Sequence, residues 1–247
     1  MNSFRIGFTS TTFKKKSIEQ IISIARKAGV EYIEWGENYH INTPEDAKKA
    51  KALCDEAKIK ICSYGSYYRV GSNDDTARKR ICKIASIMGA ESIRVWLGRK
   101  NSEETSNEEY LNLLADAKAL CAEAEKYGLI ICPECHDHTY NNNTDAFLKF
   151  AKDLGCTNFA TYYQSRYFRF EYDLDRIERT YNYIKDVHIS FSEVRREQRF
   201  RKRNSKYLPT ILEKLKEKGF GGIVMIEFTA FSSEKWFIGD VKILRKF

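Results

Sequence analysis

The chain has 247 residues, of which 43% are hydrophobic and 31% charged, with only 3 Pro and 13 Gly. That composition excludes wholesale disorder and collagen-like or low-complexity architecture, and no apolar run approaches the roughly 20 residues of a membrane helix. Lys+Arg number 42 against 34 Asp+Glu, a net charge of +8, and the 7 cysteines are too scattered and odd in number for a secreted disulfide scaffold.

The hydropathy pattern then alternates between a period of two and a period of 3.6. Phe4–Phe8 reads as a strand, and Ser17–Ala28 as a helix with Ile18, Ile21, Ile22 and Ala25 on one stripe and Gly29 behind it. Tyr32–Trp35 is the second strand; Pro44–Ala57 is the second helix, with Thr43 as its N-cap and Pro44 in its first position. Ile59–Tyr64 and Asp74–Met88 follow, then Ser92–Leu97 and Glu108–Tyr127, then Leu129–Glu134 and Thr144–Leu154. The last units are Phe159–Tyr163 with Leu174–Tyr183, Asp186–Ile189 with Lys206–Lys218, and Ile223–Phe228 with Ser233–Arg245. Glycines stand just after several helices, at 89, 128, 155 and 219, as left-handed C-terminal caps require.

Eight strands alternating with eight helices predict a parallel sheet, and a chain of this length closes it into a single (β/α)8 TIM barrel over residues 1–247. The glycine-rich phosphate loops of doubly wound folds are absent. The N-terminal basic cluster follows an apolar segment rather than preceding one, the reverse of a signal peptide, so a soluble cytoplasmic protein is expected.

In such a barrel the chemistry sits where the strands end. Glu227 closes the apolar run Ile223–Ile226, Glu134 closes Leu129–Cys132, and His188 ends strand seven. A carboxylate in such a position is costly unless paired. Two Glu, one His and the amide oxygen of Gln164 at matching strand ends suit one divalent cation, Mn, Mg, Co or Zn. Taken singly, each has a plainer reading: a loop acid, or a hydrogen-bonded core histidine. Cys132 and Cys135 look like half of a zinc site, but side chains alternate along a strand. Cys132, Glu134 and His136 then share one face and Cys135 the other, so the two thiols do not clasp one ion.

Positive charge concentrates in Arg195–Arg203, where six basic residues and one acid supply +5 of the +8. It is a solvated loop or a grip for an anion such as a substrate phosphate, with nucleic acid a third reading.

The segments Ile131–His136, Thr161–Gln164, Asp186–His188 and Ile226–Glu227, with the opening RIGFTS, the GVEYIEWGE stretch and IRVW, resemble the xylose isomerase-like TIM barrels. More narrowly they are similar to the sugar phosphate isomerase/epimerase group, over essentially the whole chain. The resemblance implies four metal ligands: Glu134, Gln164, His188 and Glu227. The second departs from the group, where Asp is usual, and lowers the ligand charge from −3 to −2. The acid that often follows the metal histidine is also missing from His188–Phe191.

The implied activity is isomerisation or epimerisation of a keto-sugar or sugar phosphate, through a metal-stabilised enediolate. Glu134 and Glu227 would move the proton, from opposite faces for epimerisation. Arg69, Trp96 and His136 would line the pocket, Glu34 would bond a substrate hydroxyl, and Arg195 and Arg199 would hold a phosphate or carboxylate tail. The alternatives are a keto-polyol dehydratase using the same metal, and a sugar-binding barrel without turnover. A nuclease of the endonuclease IV type wants more histidines than the four present. Self-association, as a homo-oligomer, stays open.

Overall fold

The computed structural model describes residues 4–164, 170–194 and 206–247. Eight parallel strands form one sheet: β1 Arg5–Thr9, β2 Tyr32–Gly36, β3 Lys60–Val70, β4 Ser92–Leu97, β5 Ile130–Pro133, β6 Thr161–Gln164, β7 Ile184–Ile189 and β8 Ile223–Ile226. Their order, β5-β4-β3-β2-β1-β8-β7-β6, is that of a barrel opened between β5 and β6. Two isolated parallel bridges, Ile131 with Phe159 and Glu134 with Tyr162, close most of that seam. The barrel expected from the alternation of periods is the fold observed.

The helices outside it are α1 Ile18–Ala28, α2 Pro44–Ala57, α3 Asp75–Met88, α4 Asn107–Glu125, α5 Thr144–Leu154, α6 Phe170–Thr180, α7 Tyr207–Glu217 and α8 Glu234–Leu244. Their starts are encoded locally. Ser17 with Gln20, Thr43 with Asp46 and Ser106 with Glu109 form reciprocal capping boxes. Gly29, Gly89 and Gly155 end α1, α3 and α5 in the left-handed region, φ 68°, 68° and 65°. Lys58 makes the same turn after α2 without a glycine, φ 57°. Several boundaries differ from expectation by two residues or more, among them β6, which starts at Thr161, β7, which starts at Ile184, and β8, which ends at Ile226. α6 begins four residues before Leu174 and gives way to a 3-10 turn at Tyr181–Tyr183; α4 stops at Glu125, short of Tyr127; and β3 runs on past Tyr64 to Val70. Among the described residues, no helix is long and apolar enough to cross a membrane.

Two apolar regions hold the barrel. The larger lies between sheet and helices; the smaller fills the barrel interior with Tyr32, Cys62, Cys132, Tyr162, Ile223 and Met225. Among the described residues no cysteine forms a disulfide. Burial pushes the Cys132 thiol far above its ordinary value, so it packs as a small hydrophobe and not as a thiolate ligand.

Side chains alternate along a strand, so away from β3, whose register shifts beside Ile33 and Glu34, the residues two places beyond an inward position form the next layer up. From Tyr32 the count leads to Glu34, from Ser92 to Arg94 and Trp96, and from Cys132 to Glu134. From Tyr162 it leads to Gln164, from Asp186 to His188, and from Met225 to Glu227. The barrel's geometry therefore collects one polar layer directly above an apolar plug.

Helix α4 is tied to the β3–α3 loop through Asp116, which is buried. It accepts from Tyr68 Oη at 2.9 Å, from the Gly71 N–H at 2.5 Å and from the Arg78 guanidinium. Asp116→Ala leaves all three donors without their acceptor. Breaking a buried ion pair from one side costs about 3–5 kcal/mol. A urea unfolding experiment is expected to show that loss, and a loss under about 1 kcal/mol would contradict the hub role.

Candidate metal centre and its surroundings

Strands β5, β7 and β8 bring Glu134, His188 and Glu227 together: one ligand atom from each lies within 4.8 Å of the others, and all three side chains are largely enclosed. A cation bound at about 2.1 Å holds adjacent ligands roughly 3 Å apart and opposed ones roughly 4 Å apart. The observed spacing needs only a small contraction to reach that.

His188 is oriented for such a role. Its Nδ1 faces Glu134 Oε1 at 3.8 Å and Glu227 Oε2 at 3.9 Å, while Nε2 faces Glu34 Oε2 at 3.6 Å. These distances are too long for hydrogen bonds. Both ring nitrogens, Glu34 Oε2 and Gln164 Oε1 are buried with no hydrogen-bond partner. Unpartnered polar atoms in an enclosed layer are costly; of these four, His188 Nδ1 faces the two carboxylates and Gln164 Oε1 belongs to the side chain bonded to Glu227, so both are donors that could hold a cation. The Tyr162 ring supports the imidazole from below, edge to face at 4.7 Å between centroids.

The two carboxylates sit in different surroundings. Glu134 Oε2 is fastened twice, by Arg94 Nη1 at 2.7 Å and by Trp96 Nε1 at 2.6 Å. That leaves Oε1 toward His188. Burial works to raise the Glu134 carboxyl, but Arg94, His188 and Trp96 outweigh it and hold the group well below the usual carboxylate range. Glu227 receives one bond, from Gln164 Nε2 at 3.1 Å, and its side chain is 12% exposed against 3% for Glu134. Burial, with the neighbouring Glu134 and Glu34 charges, raises Glu227 to about 7 against the pull of His188 and Arg94. Burial works to lower His188, yet the surrounding carboxylates, Glu34 first, raise it to about 10.

Gln164, at the end of β6, lies beside Glu227, with its carbonyl oxygen without a hydrogen-bond partner. Glu34 is placed differently from the substrate-hydroxyl role expected of it. It lies behind the imidazole, fully enclosed, with Arg94 Nε 3.6 Å from its Oε1. Its charge faces the ring nitrogen turned away from Glu134 and Glu227. Gly65 makes room for this contact, since a Cβ on it would come within 2.9 Å of Glu34 Oε1 and 3.1 Å of Arg94 Nη2.

Arg94 itself is the functional residue that sequence reasoning passed over. It is 5% exposed and bridges Glu34 and Glu134. Its signal was a charge in the middle of the strand Ser-Ile-Arg-Val-Trp-Leu, at an inward position; buried there, it has to be paired.

Trp96 is half-buried above this layer, with the Arg69 guanidinium 4.1 Å from its ring centroid and the His136 ring at 5.6 Å. His136 is exposed at the rim, its Nδ1 2.7 Å from the Asp137 carbonyl. Arg69, Trp96 and His136 therefore form one wall above the cluster. Arg195 and Arg199, with the rest of the basic loop, lie outside the described residues.

The xylose isomerase-like TIM barrel family matches residues 22–247. No curated protein matches the sequence. Several solved structures share the fold at low identity. The chain is similar to the probable 3-DHS dehydratase AsbF involved in petrobactin synthesis from Bacillus anthracis, at 14% identity and a TM-score of 0.80, covering 97% of this chain and 98% of that one. It is also similar to the 3-keto-D-glucoside 4-epimerase YcjR from E. coli, at 14% identity and TM-score 0.78, covering 99% and 100%. The D-allulose 3-epimerase from a Methylomonas species matches at 18% identity and TM-score 0.73, covering 93% and 86%.

Proposed function

The chain belongs to the xylose isomerase-like TIM barrel family, and from that footing we propose that it is a metal-dependent isomerase or epimerase of a keto-sugar or sugar phosphate. The observation that carries this reading is the convergence of Glu134, His188 and Glu227 within 4.8 Å at three strand ends, with both imidazole nitrogens unpartnered. Low-identity neighbours of the same fold include two sugar epimerases and a probable dehydratase, which is consistent with carbonyl chemistry on a polyol.

Glu134, Gln164, His188 and Glu227 would hold one divalent ion, whose Lewis acidity makes the proton next to the substrate carbonyl easier to remove. The ligand set is three oxygens and one nitrogen, which suits Mn, Mg, Co or Zn. Arg94 and Trp96 keep Glu134 charged and fixed. Glu34 places its charge behind the imidazole. Glu227, fastened by one bond and nearer the opening, is free to take the proton from the carbon beside the carbonyl. Carried by Glu227 to the adjacent carbon, the proton would convert ketose to aldose; inversion of the same carbon would need a second proton delivered from the opposite face, which Glu134, ionised at rest, would first have to take from a substrate hydroxyl or water, leaving the abstracted proton on Glu227 for release to solvent. Trp96 and His136 present ring faces and edges at the mouth, surfaces that pack against the C–H side of a sugar.

The test is proton exchange. The Mn2+-loaded protein is incubated in D2O with ketopentoses and ketohexoses, free and phosphorylated, and proton NMR follows the carbon next to the carbonyl. The expected result is deuterium entering that carbon of at least one sugar, with an epimer or aldose appearing. Deuterium entry followed by loss of water instead would identify the dehydratase form of the same chemistry. No exchange into any sugar by protein that holds its metal would defeat the reading and leave a sugar-binding barrel.

A further inference from the structure

One feature on the catalytic face is not needed by the metal centre. Between Gly65 and Arg69, four residues of β3 run against two of β4: Gly65 pairs with Arg94, but Arg69 pairs with Trp96. In a regular ladder Tyr67 would face Trp96. The two added residues keep side-chain parity and deliver an arginine there instead. Ser66 Oγ and Glu37 fix the bulge, the first donating to the Arg94 carbonyl at 2.6 Å, the second accepting from the Tyr67 N–H at 2.6 Å.

The arginine so delivered faces a cavity of about 280 Å³ between the β3–α3 and β4–α4 loops, lined by Arg69, Gly71, Gly98, Arg99, Glu109 and Asn112 among others. That is roughly nine times the ~30 Å³ share of one water molecule. Its charges are unbalanced. Glu109 is already matched by Lys100 Nζ at 2.6 Å. Among the described residues Arg69 and Arg99 have no carboxylate partner; Arg69 is held by the Gly98 carbonyl at 2.8 Å and by the Trp96 ring. Burial and the like charge of Arg99 both pull the Arg69 guanidinium below its ordinary value. Two guanidiniums of one sign at a half-enclosed cavity are relieved by an oxyanion, which their planar forks match.

We propose that Arg69 and Arg99 form an anion subsite that takes the phosphate or carboxylate tail of the substrate. The position suits a sugar whose carbonyl lies over the metal centre, because the Trp96 indole touches both sides, stacking under Arg69 and donating to Glu134. The subsite gives the proposed isomerase a preference for anionic sugars. The identity of the molecule carrying the anion rests on that proposed activity; the subsite itself does not.

The experiment titrates the full chain by calorimetry with inorganic phosphate and, separately, acetate, at ionic strength held constant with NaCl. Charge-assisted bonds from arginine are strong enough that losing one weakens binding by about tenfold or more. Arg69→Gln and Arg99→Gln are each expected to lose at least that factor for phosphate, and Arg26→Gln, on α1, to lose nothing. Phosphate bound well ahead of acetate identifies a phosphate ester as the tail; acetate bound equally identifies a carboxylate. Absence of binding by either anion would overturn the proposal, as would phosphate binding that survives both variants and disappears in Arg199→Gln. A parallel Mn2+ titration separates the two readings. Phosphate binding without Mn2+ binding upholds the subsite and defeats the metal centre; the reverse result defeats the subsite alone.

Discussion

Glu227→Gln is expected to abolish proton exchange, by at least about 10²–10⁴-fold, the usual contribution of a positioned general base. The change is nearly isosteric. It keeps an oxygen that can accept from Gln164 Nε2, and it removes the carboxylate that raises its own titration to about 7 through burial and the nearby Glu134 and Glu34. Folding is therefore expected to survive, with thermal melting close to that of the parent protein. The measurement is the initial rate of deuterium entry into a ketose that the parent protein exchanges. A variant keeping more than about a tenth of that rate would remove Glu227 from the proton-transfer role and move it to Glu134. Since Glu134 has one oxygen tied to both Arg94 and Trp96, that outcome would also require those bonds to break during turnover.

The second large effect is on stability. Arg94→Leu, measured by urea unfolding with chelator present, is expected to cost about 3–5 kcal/mol, as for other buried pairs broken from one side. The arginine lies between Glu34 and Glu134, both nearly inaccessible to solvent, and burial alone would push each carboxyl up. Without it His188 is the cation left beside them. Adding Mn2+ should return part of the loss, because a bound cation supplies the missing positive charge and stabilises the folded form by mass action. A variant as stable as its parent in chelator would show that the layer does not depend on Arg94 for charge balance.

The barrel was legible in the sequence because each of its units announces itself locally. Thr43 caps a helix as its sequence position suggested, glycines end several, and the strands are short apolar runs between them. Glu134, His188 and Glu227 could be singled out for a different reason: each is a polar residue at or just past the C-terminal end of a strand, the face where this fold gathers its polar side chains. Arg94 is not at a strand end, and nothing in sequence marks an inward charge as paired until the neighbouring strands are placed around it. The location of Glu34 behind His188 depends on the separation of β2 and β7 around the barrel, a purely tertiary fact. The β3 bulge was equally hidden, since Gly65–Val70 carries the same polar and aromatic residues whether it forms a loop or a widened strand. The early start of α6, in turn, follows a stretch where aromatic and charged residues blur the helical period.

These features converge on one claim, that the polar layer above the barrel's apolar plug is a binding site for one divalent cation. The most direct test is equilibrium Mn2+ binding to chelator-stripped protein, with Glu134→Ala and His188→Ala measured alongside and their folding checked by melting. The account predicts one ion per chain in the parent protein, a rise in melting temperature on binding, and loss of that binding in both variants while they remain folded. A parent protein that binds no Mn2+, Mg2+, Co2+ or Zn2+, or variants that bind as well as it does, would contradict it.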